Sequence, residues 1–214
     1  MLNIKCVVFD LDGTLVDSAE NIYQATIQSF DSLNIHADFP KDKFNQRIGH
    51  HFEDIFNEFR INVGSFDSFI DTYKDLYLEN IHHSSLYPGV IETIEYLHNN
   101  GFMIALLTTK NQDQADMIID HFGFREQFNY VMGRRPGLKH KPSAEPLLKI
   151  CEDLQVNPEN VLMTGDTQMD IQCGKNAGAK TCAVTYGYRS KKLLDLEKPD
   201  IVIDRLIELT ELIH

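Results

Sequence analysis

Between residues 102 and 184, short apolar runs alternate with stretches of helical period, and this alternation limits the folds open to the chain. FMIALLT (102–108), NYVMG (129–133), NVLMT (160–164) and KTCAV (180–184) are near-continuous in apolar character rather than alternating. A strand apolar on both faces has to be covered on both, which is the condition of a parallel sheet held between helices. IKCVVFD (4–10) and DIVI (200–203) bring the predicted strands to six. Helical periods separate them. The stretch 111–122 puts Ala115, Ile118, Ile119 and Phe122 on one face and stops at Gly123, and 144–154 does the same with Leu147, Leu148, Cys151 and Leu154. PGVIETIEYLHNNG (88–101) starts on Pro-Gly and ends on Gly101, as a capped helix should. The expected fold class is α/β, with a Rossmann-like parallel-sheet core.

Residues 17–86 break the rhythm. Ile22, Ala25, Thr26 and Phe30, then Ile55 and Phe59, then Phe66, Phe69, Ile70, Tyr73 and Tyr77 recur at helical spacing, with no strand among them. So long an excursion between adjacent strands reads as a domain rather than a connection. The expectation is an α/β core from 1–16 and 87–214, with 17–86 inserted as an α-helical bundle cap of about four helices.

The net charge of −12, with no basic stripe to offset it, argues against nucleic acid or an anionic membrane as partner. A small anionic substrate fits, because one positive pocket can be local. Cys6, Cys151, Cys173 and Cys182 form no CxxC pair and no metal-ligand spacing, so packed free thiols are expected. MLNIKCVVFD carries no long apolar leader core and no stretch reaches membrane-spanning length, so a soluble, cytoplasmic protein is expected.

Chemistry-bearing residues cluster at strand ends. Asp10, Asp12 and Gly13 follow the first predicted strand, and Thr108, Thr109 and Lys110 the second. Lys139-His140-Lys141-Pro142 lies beyond the third, and Gly165-Asp166-Thr167 with Asp170 beyond the fourth. Ligands bind beyond the carboxyl ends of strands in open α/β sheets, so these features should meet at one edge. Adjacent carboxylates repel and are costly to bury, and a hard cation such as Mg²⁺ offsets that cost. Asp10 would then attack a phosphoryl group as an already ionised nucleophile. Asp12 would protonate the leaving oxygen and later deprotonate water, while Thr108 and Lys141 bind the phosphoryl oxygens. Gly13 permits a tight turn and close approach of backbone N–H groups to phosphate.

DLDGTLVDS, LLTTK, KHKP and GDTQMD resemble, in order, the four signature motifs of the haloacid dehalogenase superfamily, and the helical insertion resembles its α-helical cap. YPGVIETIEYL, GDTQMDIQCGKNAGAKT and VTYGY are most similar to the phosphoglycolate phosphatase-like branch. The resemblance implies Asp10 as nucleophile, Asp12 as acid/base, and Thr108 and Lys141 as phosphate binders. It implies a Mg²⁺ site of Asp10, Asp12 (through its backbone carbonyl) and Asp166, with Asp170 supporting the ion through a bound water or through Lys141. That branch usually reads Thr-Asn-Lys where this chain has Thr108-Thr109-Lys110. The middle position lines the substrate side, so a phosphate-ester class is implied rather than phosphoglycolate in particular.

The expected function is Mg²⁺-dependent hydrolysis of a small phosphorylated metabolite through an aspartyl-phosphate. A β-phosphoglucomutase-type isomerase, inorganic pyrophosphate hydrolysis and non-catalytic phosphate sensing are the alternatives. A mutase must hold a bisphosphate by both ends, and the few basic residues of 17–86 rank hydrolysis ahead. Thr109 and Lys110 are expected on the substrate side. Arg47 and His50, in RIGHH, either meet the far end of the substrate or belong to a plain interhelical turn. Lys141 is favoured over Lys139 because it directly precedes Pro142. Arg134 and Arg135 are expected in a solvated turn, and His82-His83 facing solvent.

Overall fold

The computed structural model describes residues 3–213 of the 214. In chain order, β1 is Cys6–Phe9 and β2 Val16–Asp17, followed by α1 Ala19–Ser32, α2 Lys41–Asn45, α3 Phe52–Phe59 and α4 Phe66–Glu79. Then come β3 Ser85–Leu86, α5 Val90–Asn99, β4 Met103–Asn111, α6 Gln112–Phe122, β5 Tyr130–Arg134 and α7 Glu145–Asp153. β6 Val161–Gly165, α8 Gln168–Ala177, β7 Lys180–Val184, α9 Lys191–Leu196, β8 Ile201–Ile203 and α10 Leu209–Leu212 complete it.

Two compact units divide the chain, one running up to Leu15 and resuming at Leu86, the other spanning Val16–Ser85. The first holds a six-stranded sheet in the order β5-β4-β1-β6-β7-β8, with every neighbouring pair parallel. Counted along the sequence this is the doubly wound order, whose ligand crevice lies where the winding reverses, between β1 and β6. Both strands are wholly buried, which is why CVVF and VLMT carry no polar face. One layer of core gathers Val8, Ala105, Met132, Leu147, Ile150, Met163 and Cys173. All four cysteines are buried free thiols, as their apolar settings suggested.

The second unit is a bundle of α1–α4 around an aromatic core. Phe30, Phe39, Phe44, Phe56 and Phe69 pack in successive edge-on and tilted pairs, with centroids 4.8–6.2 Å apart. Asn21, buried on α1, donates to the Tyr77 carbonyl at 3.1 Å and to Ser84 Oγ at 3.0 Å, which ties the start of α1 to the chain beyond α4. Phe69, Tyr73 and Tyr77 are core, and His82 and His83 are exposed. Among the described residues, no helix is long and apolar enough to cross a membrane.

Candidate active site

The β1 ladder continues one residue past the strand, with the Asp10 N–H donating to the Thr164 carbonyl at 2.9 Å. Asp10 is thereby fixed between β1 and β6 before the chain turns through Asp12 and Gly13. Lys141, from the segment between β5 and α7, is buried and reaches two carboxylates. Its Nζ donates to Asp10 Oδ1 at 2.7 Å and to Asp170 Oδ1 at 2.6 Å. Lys139 is exposed. The lysine that precedes Pro142 is therefore the one brought to the carboxylates, and the Lys141–Pro142 peptide is cis.

Asp170 is held from both sides. Its Oδ2 accepts from the Thr167 N–H at 2.9 Å and from Thr167 Oγ1 at 2.7 Å, closing a capping box at the start of α8. With Oδ1 on Lys141 and Oδ2 in the cap, both oxygens of Asp170 are already engaged. Asp166, fully buried at the end of β6, accepts from the Tyr188 N–H at 2.7 Å and from Thr14 Oγ1 at 3.3 Å. Lys110 forms an ion pair with Asp12, Nζ to Oδ2 at 3.2 Å, and its N–H donates to Thr108 Oγ1 at 3.2 Å.

Three glycines make this crowding possible. A Cβ on Gly13 would stand 2.4 Å from Asp166 Oδ2, one on Gly165 2.3 Å from Asp170 Cγ, and one on Gly187 2.3 Å from Asp166 Cβ. Gly13 also has φ +85°, a left-handed conformation suited to glycine.

Charge dominates the site. Burial pushes the Asp10 carboxyl up to about 7, with Lys141 opposing and Asp170 and Asp12 adding to the rise. Burial, then the charges of Asp10 and Asp170, raises Asp166 well above the usual carboxylate range, while buried Arg189 pulls the other way. Burial alone would lower Lys141, yet Asp10 and Asp170 hold it above the ordinary lysine value. One oxygen each from Asp10, Asp166 and Asp170 lies within 4.8 Å of the others, a spacing that could hold a metal ion. Asp170 carries the Lys141 ion pair on one oxygen and two cap hydrogen bonds on the other. Asp166 accepts only from neutral donors and Asp10 pairs with Lys141 through one oxygen, so Asp10 and Asp166 are the less committed carboxylate donors. Two desolvated hard-oxygen donors suit Mg²⁺, which takes one or two carboxylates and keeps waters or substrate oxygens.

Asp10, Lys141 and Asp170 thus form one linked set, and Asp12, Lys110 and Thr108 a second. Asp166 lies within metal-ligand spacing of Asp10 and Asp170, Gly13 packs against Asp166, and Thr109 lies half-buried between Thr108 and Lys110. Arg47 and His50 belong to the helical unit. Arg47 makes a two-pronged ion pair with Glu58 there, its Nε donating at 2.7 Å, and His50 is half-buried in the turn between α2 and α3. Arg134 and Arg135 depart from the solvated-turn expectation. Both are half-buried, with Arg134 Nε on Asn111 Oδ1 at 3.0 Å and Arg135 Nε on Gln112 Oε1 at 2.9 Å, so they fasten β5 to the start of α6.

A doubly wound α/β protein with a desolvated aspartate–lysine cluster at its switch point is built for chemistry on an anion. Residues 7–184 match the haloacid dehalogenase-like hydrolases, and the chain belongs to that family. It is 31% identical over 211 residues to phosphoglycolate phosphatase of Aquifex aeolicus, covering 98% of this chain and 96% of that one. It is 32% identical over 215 residues to pyrophosphatase PpaX of Halalkalibacterium halodurans, covering 99% and 98%. Among solved structures, one described as a predicted phosphoglycolate phosphatase from Haemophilus somnus superposes with a TM-score of 0.87 at 26% identity, covering 99% of both chains.

Proposed function

We propose that the protein is a Mg²⁺-dependent phosphatase acting on a small soluble phosphate ester, with Asp10 as nucleophile. The observation that carries this reading is the shared ammonium of Lys141, which holds Asp10 at the switch point of the sheet beside the buried Asp166. An Asp10 oxygen attacks phosphorus, the bond to the ester oxygen breaks, and Asp12 gives that oxygen its proton. The aspartyl-phosphate formed on Asp10 is then attacked by a water whose proton returns to Asp12, releasing phosphate and the free carboxylate. Thr108 and Lys141 hold the phosphoryl oxygens through both steps, and the turn at Gly13 lets backbone N–H groups approach them. Asp10, Asp166 and the backbone carbonyl of Asp12 would hold Mg²⁺, with Asp170 supporting the site through Lys141. The ion supplies positive charge that balances the carboxylates and the phosphoryl group.

Return of the phosphoryl group to a sugar is disfavoured, because a second phosphate needs counter-charge and Arg47 is already paired with Glu58. Pyrophosphate is the second substrate reading, supported by 32% identity to a pyrophosphatase against 31% to a phosphoglycolate phosphatase. The test is phosphate release, with Mg²⁺, from a panel containing phosphoglycolate, pyrophosphate and sugar phosphates. Release from at least one compound, lost in Asp10→Asn without loss of fold, is expected. Turnover by Asp10→Asn equal to wild type would remove Asp10 from the mechanism.

A further inference from the structure

Two lysines with little-exposed side chains serve this cluster, and they divide its carboxylates between them. Lys141 takes Asp10 and Asp170, whereas Lys110 takes Asp12. The pairing follows from the sheet. β1 and β4 are neighbours with Phe9 opposite Leu106, so the turn carrying Asp12 and the end of β4 carrying Lys110 emerge side by side. The pairing of β4 with β5 is irregular between Leu107 and Asn111, the stretch that holds Thr108, Thr109 and Lys110. The Lys110 N–H donates to Thr108 Oγ1, so one residue links the phosphate-binding hydroxyl to the proton-handling carboxylate. The Lys110 and Asp12 side chains retain only 7% and 10% of their exposure, a setting in which an ion pair with good geometry restricts motion more than it does on an open surface.

We infer that Lys110 is a positioning residue: its ammonium holds Asp12 Oδ2, so that the protonated Asp12 carboxyl carries on Oδ1 the proton it delivers to the leaving oxygen. This rests on the roles proposed above for Asp10 and Asp12, and it differs from the expectation that Lys110 binds substrate. Proton delivery depends on placement to within a fraction of an ångström, so a carboxylate released from its partner loses rate rather than substrate affinity.

The experiment compares full-length wild type, Lys110→Met, Lys110→Arg and Asp12→Asn on two Mg²⁺-supported substrates. One is an alkyl phosphate from the panel that the wild type hydrolyses, whose leaving oxygen needs a proton. The other is p-nitrophenyl phosphate, whose leaving group needs none. Lys110→Met is expected to lose about 10- to 100-fold in kcat on the alkyl ester with KM changed less than about threefold, and to lose distinctly less on the aryl ester. Lys110→Arg should regain most of the loss. The ratio of the two activities does not depend on how much of a variant is folded, so a poorly folding Lys110→Met still gives a reading. A rise in KM of about tenfold at unchanged kcat would make Lys110 a phosphate ligand and overturn the inference. An equal loss on both esters would also overturn it. Wild type inactive on every ester is a failure of the phosphatase reading, visible before any Lys110 variant is measured.

Discussion

The Lys141 ammonium lies 2.6 Å from Asp170 Oδ1, and the other oxygen of Asp170 is locked into the cap of α8. A helix start thereby aims a lysine that lies 29 residues earlier in the chain. Because these charges are buried, Lys141 and its two carboxylates stabilise one another, and removing Lys141 leaves Asp10 and Asp170 desolvated without its counter-charge.

Lys141→Met should therefore cost stability as well as turnover. Loss of one partner from a buried charge pair costs about 3–5 kcal/mol. In the role proposed for Lys141, as a charged donor to the transferring phosphoryl group, its loss should lower kcat by about 10²–10³ or more. Urea denaturation and steady-state kinetics on the same preparation read both effects. Unchanged stability would mean that Asp10 and Asp170 take up protons or water in its place, and that the pair does not organise the site.

The sheet and the charge cluster were legible in the sequence because both are written in side chains. Continuous apolar runs mark parallel strands, and Asp10, Asp12, Thr108, Lys141, Asp166 and Asp170 announce themselves by residue type at strand ends. The partners of Asp166 were not legible. Tyr188 contributes its backbone N–H, which nearly every residue carries, and Gly187 contributes the lack of a Cβ. Nor does the sequence show that β4 runs through Asn111 rather than ending at Thr108, because Thr109 and Lys110 read as the polar end of an apolar run. Arg134 and Arg135 looked like a turn because their partners, Asn111 and Gln112, lie more than 20 residues earlier. Local pattern reports burial and period; it does not report which distant polar group waits for a side chain.

Asp166 gives a stability prediction that needs no turnover. Its folded-state carboxyl lies well above the ordinary value because of burial and the neighbouring carboxylates, and Asp10 is pushed up to about 7. In the metal-free protein the folded state holds these protons more tightly than the unfolded chain. Stability should therefore fall as pH rises from about 4 towards 8. Asp166→Asn keeps an oxygen for the Tyr188 N–H and removes one charge, so the metal-free variant should melt at or above the wild-type temperature at pH 8. Mg²⁺ should raise the wild-type Tm more at pH 8 than at pH 6, where protons compete for the same oxygens. At about 100 times Kd the gain is about 2.7 kcal/mol. For a chain of this size that is a rise of about 5–10 °C. Thermal melts at the two pH values, with and without Mg²⁺, check this. A Mg²⁺ response retained in full by Asp166→Asn would remove Asp166 from the metal site.

Away from the site, Asp200 should contribute stability with the opposite pH sign. It precedes β8, and its Oδ2 accepts from the Thr181 N–H at 2.9 Å and from Thr181 Oγ1 at 2.8 Å, across to β7. Lys180 lies 3.3 Å from its other oxygen. Partial burial raises the carboxyl, but the Thr181 hydrogen bonds and Lys180 outweigh it, so the net shift is below the ordinary value. A carboxyl lowered in the folded state adds stability above its unfolded pKa, near 4, and loses it as pH falls through the folded value. Asp200→Ala should cost about 1.5–3 kcal/mol at pH 7, the range for hydrogen bonds to a charged group, with the Lys180 pair adding little because it is largely solvated. The difference from wild type should narrow as pH falls below about 4, where protonation weakens the same bonds in the parent. Asp200→Asn, which can still accept from Thr181, should fall between the two at pH 7. Urea midpoints at pH 7 and pH 3 decide the matter. A cost that is the same at both pH values would show that the charge of Asp200 contributes nothing and that packing at the β7–β8 edge carries the whole effect.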